Sequence, residues 1–293
     1  MAEISPSDVK TLREKTGAGI MECKNALLEC GGDFAKAEKL LKEKGLAAVE
    51  KRSDRATKQG KVFIKIKNDG SCAVLVEMVA ETDFVARNPE FIVLGGKIAD
   101  IVLDKGYTES DLAPDTKIYA GLNDMVMDLA TKIRENMGLK RVKLIKAGQG
   151  EYLCSYIHGD GAIGVVVNCK AETADLWQKE EAKAFAFSMA LHIAAFDPMV
   201  LDRSKIDPDF LKEQEGIFRK QMEQDEELQS KPAQVLENIL KGKVNKYLAS
   251  ISLLEQAYVK DEKFTVKQIL EEMSKQFGGS VSISDYVYLK VGV

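Results

Sequence analysis

The stretch Asp69 to Thr82, DGSCAVLVEMVAET, decides the fold, because it recurs as DGAIGVVVNCKAET from Asp160 to Thr173. Its two markers, Asp-Gly and Ala-Glu-Thr, both shift by 91 residues (160 − 69 and 171 − 80). Between them lie matching apolar runs, Ala73 to Val76 and Gly164 to Val167. Asp-Gly between strand-like runs is a strong hairpin signal, since glycine adopts positive φ without a steric penalty. Before the first turn Val62, Ile64 and Ile66 alternate as in a half-buried strand. Each hairpin then leads into a helical pattern. The first starts at Asn88-Pro89 and carries Phe91, Leu94, Ile98, Ile101 and Val102 on one side. The second runs from Glu180 to Phe196, apolar nearly all round as a buried core helix is, and Asp197-Pro198 ends it. Two hairpin-plus-helix units predict a duplicated α+β core.

Upstream, the first 45 residues read as three short helices. Ser5 caps the first, with Pro6 in its first turn and Asp8 three residues after the cap, and Val9 and Leu12 share a face. Gly17-Ala18-Gly19 breaks the pattern, and Ile20, Cys23 and Leu27 return at helical spacing. Gly31-Gly32 ends this helix, Asp33 caps the next, and Gly45 is expected to stop it. The charged stretch Glu50 to Gly60 joins this module to the core. Downstream, Pro208 to Leu248 is helical and polar. Leu211, Phe218 and Met222 form a sparse stripe, Ser230-Lys231-Pro232 turns the chain, and Val235, Leu236, Ile239, Leu240, Val244, Tyr247 and Leu248 form a denser one. An antiparallel helical hairpin follows from this pattern. Thr265 then caps a helix bearing Val266, Ile269, Leu270, Met273 and Phe277, and Gly278-Gly279 leads to a final strand region, Val281 to Val291, that returns to the second core unit. The expected division is 1–55 for the N-terminal helical module and 56–145 for the first core subdomain. Residues 146–204 with 246–293 form the second, and 205–245 form the inserted, coiled-coil-like hairpin.

A chain of 293 residues with 45% hydrophobic and 30% charged residues has an ordinary globular composition. Its net charge of −4 gives no general attraction to nucleic acid or an anionic membrane, and neither is an expected partner. Lys51, Arg52, Arg55, Lys58 and Lys61 cluster, but acidic residues interrupt them, as on a solvated helix or linker. Met1-Ala2-Glu3-Ile4 lacks the charged and apolar regions of a signal peptide. The five cysteines are odd in number and form no CxxC pair, which fits reduced thiols and a cytoplasmic location. His158 and His192 are the only histidines, and neither has a Cys or His neighbour at metal-ligand spacing. No Gly-x-Ser-x-Gly elbow or His-Glu-x-x-His pair is present. Gly17-Ala18-Gly19 follows a helix rather than a strand, and Gly95-Gly96-Lys97 lacks the upstream glycine and following Ser or Thr of a phosphate loop. No catalytic residue, metal or cofactor is expected, which favours a binding protein over an enzyme.

One connecting segment stands apart, Glu81-Thr82-Asp83-Phe84-Val85-Ala86-Arg87-Asn88, where a strand has stopped and a helix has yet to begin. It sets an aromatic ring beside a carboxylate in the kind of segment that carries function. From the residues alone Phe84 has two possible homes. It packs over the following helix, with Thr82 or Asp83 as a local cap, or it fills a partner's groove. The second copy has Ala174-Asp175 where the first has Asp83-Phe84, so only the first carries the ring there.

Five motifs in order then carry a resemblance to a known family. LREKTGAGIMECKNAL from Leu12 to Leu27 resembles the N-terminal signature of bacterial elongation factor Ts, and Thr82-Asp83-Phe84-Val85-Ala86 resembles its second signature. Ser155-Tyr156-Ile157-His158-Gly159, Leu191-His192-Ile193-Ala194-Ala195, and Leu253-Leu254-Glu255-Gln256 followed by Val259-Lys260-Asp261 add to it. The resemblance implies a guanine nucleotide exchange factor for elongation factor Tu, met in its GDP-bound and nucleotide-free forms. It implies that Thr82, Asp83, Phe84, Val85 and Ala86 form a wedge that disturbs the GTPase around its magnesium ion. Leu12, Gly17, Gly19, Ile20 and Met21 would contact the nucleotide domain, and Tyr156, His158 and Gly159 another domain. The chain stops at Val293, without the extra C-terminal helical module of some members, and its helical hairpin is a candidate homodimer contact. Within the N-terminal module Ile20 is expected in the small core, with Leu12 and Met21 as exposed contacts. The alternative function is a ubiquitin-associated-like three-helix module on a scaffold that binds a helix or peptide, without exchange activity.

Overall fold

The computed structural model describes residues 4–229 and 231–293. The expectations resting on Met1, Ala2, Glu3 and Ser230 lie outside the described residues. Three helices come first, α1 (Pro6–Thr16), α2 (Ile20–Glu29) and α3 (Phe34–Glu50). A reciprocal cap opens α1: the Ser5 hydroxyl accepts from the Asp8 amide, and the Asp8 carboxylate accepts from that of Ser5. Asp33 caps α3 by accepting from the Lys36 amide. Val9, Leu12, Cys23, Ala26, Leu27 and Ala37 form a small core between the three. One expectation fails here: α3 runs past Gly45 to Glu50. A Cβ on Gly45 would lie 3.0 Å from Cβ of Thr131, so this glycine allows a close approach instead of ending the helix.

Next come β1 (Gln59–Ile66) and β2 (Cys72–Ala80), antiparallel, with Gln59 opposite Ala80 and Ile66 opposite Ala73. Gly70, at φ 71°, makes the turn that the Asp-Gly pair predicts. The chain continues through α4 (Asp83–Ala86), α5 (Pro89–Lys105), α6 (Lys117–Ile133) and β3 (Met137–Lys146). The strands order as β1-β2-β3. Sequence reading assigns no element to α6 or β3. β2 is buried along nearly its whole length, which matches an apolar run interrupted only by Glu77. Phe91, Ile98 and Val102 of α5 and Val126 and Leu129 of α6 share a core with Val74, Val76 and Met78. The carboxylate of Glu77, fully buried, pairs with Arg141 and accepts from the Gly292 amide.

The second copy opens with β4 (Glu151–His158) and β5 (Ile163–Ala171), passes a 3-10 turn at Ala174–Gln178, and enters α7 (Glu180–Phe196). The 91-residue shift carries β2 onto β5 (72 to 163) and α5 onto α7 (89 to 180), end to end. A helical insert follows: α8 (Pro208–Glu223), α9 (Glu226–Gln229) and α10 (Ala233–Ile251). Met222, Leu228, Leu240, Val244 and Leu248 form its own core. Then come β6 (Ala257–Tyr258), β7 (Asp261–Thr265), α11 (Val266–Phe277) and β8 (Val281–Lys290). Thr265 and Gln268 cap α11 reciprocally, and β8 returns to give the order β4-β5-β8. In each copy a hairpin, a helix, a later helix and a third strand follow in turn, so the architecture is α+β. His192 of α7 is fully buried, with Nε2 3.0 Å from Oε1 of Gln256 and Nδ1 accepting from the Val259 amide at 3.2 Å.

The chain forms two compact units. One comprises Met1–Leu144, Ile157–Gly164 and Leu289–Val293; the other comprises Ile145–Tyr156 and Val165–Tyr288. Among the described residues no helix is long and apolar enough to cross a membrane.

Candidate functional site

The first unit presents Phe84 at the surface, 80% exposed on the single turn of α4. Four residues cannot hold a helix by their own hydrogen bonds, because nucleation costs more than so few bonds return. The turn is therefore held from outside. The Thr82 hydroxyl accepts from the Val85 amide at 3.3 Å and donates to the Glu135 carboxylate at 2.9 Å. Glu81, one residue earlier, accepts from the Asn136 amide at 2.6 Å, and its own amide donates to the Asn136 carbonyl. The Asn136 side chain donates in turn to the carbonyls of Ser53 and Arg55. Val85 and Ala86 point inward and are buried, so they anchor the turn. Their side chains face the core, whereas the Phe84 ring faces solvent. Asn88 opens α5 immediately afterwards by accepting from the Glu90 amide.

On the other flank Asp83 pairs with Arg87, Oδ2 to NH1 at 3.2 Å. Arg87 also faces Asp160 of the second hairpin turn, Nε to Oδ2 at 4.0 Å. Lys61, only 7% exposed, reaches both Oδ1 of Asp160 at 2.6 Å and its carbonyl at 2.7 Å. Lys61, and after it Arg87, hold the Asp160 carboxyl below the usual carboxylate pKa. Sequence reading missed Arg87, Glu135, Asn136 and Asp160 as supports. The one signal for any of them was that Asp160 is the aspartate of the second Asp-Gly turn.

The N-terminal module divides its five candidates differently from expectation. Leu12 is fully buried in the small core, while Ile20 is 57% exposed. By spacing, Ile20 shares the face of Cys23 and Leu27, but it stands in the first turn of α2, beyond the buried stripe of Cys23, Ala26 and Leu27. Met21, at 62%, is exposed beside it. The open side of Gly17 is turned inward: at φ 70° a Cβ there would lie 2.7 Å from Cγ of Lys132. The Gly19 amide donates to Glu22, which pairs with Arg134. Both glycines thus lie close against the protein's own side chains, Lys132 at Gly17 and Glu22 with Arg134 at Gly19. Tyr156 lies in the second unit, its ring edge-on to Phe187 at 5.7 Å, whereas His158 and Gly159 are exposed and belong to the first. Among the described residues no group of three or more His, Cys, Asp or Glu side chains is arranged to hold a metal ion. Burial raises the thiol of Cys154 to a pKa of about 11, which makes it a packing residue.

The comparisons with known proteins agree with one another. A family profile described as elongation factor TS matches residues 81–293. Elongation factor Ts of Treponema denticola is 47% identical, with 99% of each chain covered. That of Treponema pallidum is 42% identical over 99% of each, and that of Borreliella burgdorferi 39% over the whole of both. With the match spanning the entire fold, including the segment that displays Phe84, the chain belongs to the elongation factor Ts family of translation elongation factors.

Proposed function

We propose that this protein is a guanine nucleotide exchange factor for elongation factor Tu, promoting GDP release and so favouring GTP reloading during elongation. The observation that carries the reading is the exposure of Phe84 on a turn braced by Thr82, Glu135, Glu81 and Asn136. A ring of this size, if only meant to close its own core, would be buried. Asp83 and Phe84 enter the partner beside its magnesium site, while Thr82, Val85 and Ala86 hold the turn. Magnesium bridges phosphate oxygens to protein and offsets their charge, so its displacement loosens the nucleotide. Linkage then requires the nucleotide to weaken this protein's hold by the same factor. Ile20 and Met21 form a second contact on the nucleotide domain, and Tyr156, His158 and Gly159 weaker ones elsewhere. In this reading 1–55, 56–145, 146–204 with 246–293, and 205–245 are four working parts, the last a candidate dimer contact. No covalent bond changes, so the protein is not an enzyme in the chemical sense.

The test is stopped-flow release of a fluorescent GDP from elongation factor Tu. Micromolar amounts of this protein, added with excess unlabelled GDP, should accelerate release. A rate equal to the spontaneous one rejects the proposal.

A further inference from the structure

In the free protein the Asp83 carboxylate, about half exposed, pairs with Arg87 one turn along, at 3.2 Å, so a partner that engages Asp83 competes with this guanidinium. Left alone, the guanidinium would lose its partner. A second carboxylate lies ready, however: Oδ2 of Asp160 is 4.0 Å from Nε of Arg87. Asp160 is itself fixed. The nearly buried Lys61 grips its other oxygen, Oδ1, and its carbonyl, and the Val62 amide donates to the next carbonyl, that of Gly161. Asp160 has φ 55°, a left-handed conformation uncommon outside glycine and tolerated by Asp and Asn.

We infer that Arg87 is a two-position cation, handed from Asp83 to Asp160 when Asp83 engages the GTPase, and that Asp160 is a positioning residue for exchange. The inference rests on the exchange reading above. Lys61 keeps Oδ1 occupied in both positions and leaves Oδ2 to Arg87. The handover is a change of ion pair, with no proton or covalent bond transferred.

Stimulated release of fluorescent GDP from elongation factor Tu, measured with the full chain, tests this through a double-mutant cycle. Asp160→Asn keeps the backbone conformation and an oxygen for Lys61 but removes the charge that receives Arg87. It should slow stimulated release by about three- to fivefold, the scale of one exposed ion pair. Arg87→Ala removes that competing cation and should speed release by about two- to fivefold. The double variant should match Arg87→Ala, since nothing remains to be handed over. Equal slowing by Asp160→Asn in both backgrounds means that Asp160 only supports the fold, and it overturns the handover while leaving the exchange reading intact. Slower release with Arg87→Ala overturns it as well, and that variant alters an exposed side chain, so its result stands even if Asp160→Asn fails to fold. An unmodified chain that does not stimulate release at all sinks the exchange reading and the handover together.

Discussion

At the residue scale the proposed contact turns on Phe84, because a large ring in water gains most from entering a groove. Phe84→Ala should weaken complex formation with elongation factor Tu by about 2–4 kcal/mol, as truncation of a central hot spot does. Its thermal unfolding should match that of the parent, since the ring is exposed in the free protein. A titration of labelled GTPase with a melting curve alongside checks both halves, and a variant that unfolds early counts against the contact. Thr82→Ala acts differently. It removes an N-cap and a bond to Glu135, so it should destabilise the turn by about 1 kcal/mol and slow stimulated release while Phe84 stays in place. Hydrogen exchange at the Val85 amide reports that loosening. Sequence alone identified the unusual ring but left its home open. The ring's exposure came from the inward turn of Val85 and Ala86, which a one-turn helix allows and a strand continuation would not.

At the scale of elements, α5 lies on the first sheet through a contact that glycine makes possible. A Cβ on Gly95 would stand 2.2 Å from the Phe63 ring, whereas one on Gly96 meets nothing within 4 Å. Gly95→Ala should therefore lower stability by about 1–3 kcal/mol through overpacking, despite alanine's better helix propensity. Gly96→Ala should raise it by up to about 1 kcal/mol. Urea unfolding of the two variants side by side checks the contrast. The neighbouring glycines look alike in sequence, and only the position of Phe63 distinguishes them. Gly45 teaches the same lesson: read locally it is a stop, yet α3 continues through it, and Thr131 occupies the space a side chain there would need. By contrast the caps at Ser5, Asp33 and Thr265 were legible, since each is made with the residue three positions on.

At the scale of the whole molecule, the second copy must readmit the chain after its long helical insert, and His192 is one point where it does so. It ties α7 to Gln256 and Val259, the segment that returns from α10. Burial holds the imidazole below its ordinary pKa of 6.5, while an unfolded chain restores that value. As pH falls the unfolded state takes up the proton first, so stability is full above about pH 6.5 and is lost as pH drops from there toward the lower folded value. Unfolding measured from about pH 7 down to about pH 5 should show this loss, and His192→Gln should lower stability at neutral pH yet flatten that slope. The sequence by itself determined the duplicated α+β core, the two Asp-Gly turns, the span of α7 and the family, because these rest on local patterns and ordered motifs. Tertiary structure alone decided that β3 completes the first sheet, that Leu12 is buried while Ile20 is exposed, and that Asp160 stands beside Arg87. Such pairings join residues far apart in the chain. Their free energy comes from packing and charge between elements, and no local window of sequence contains both partners.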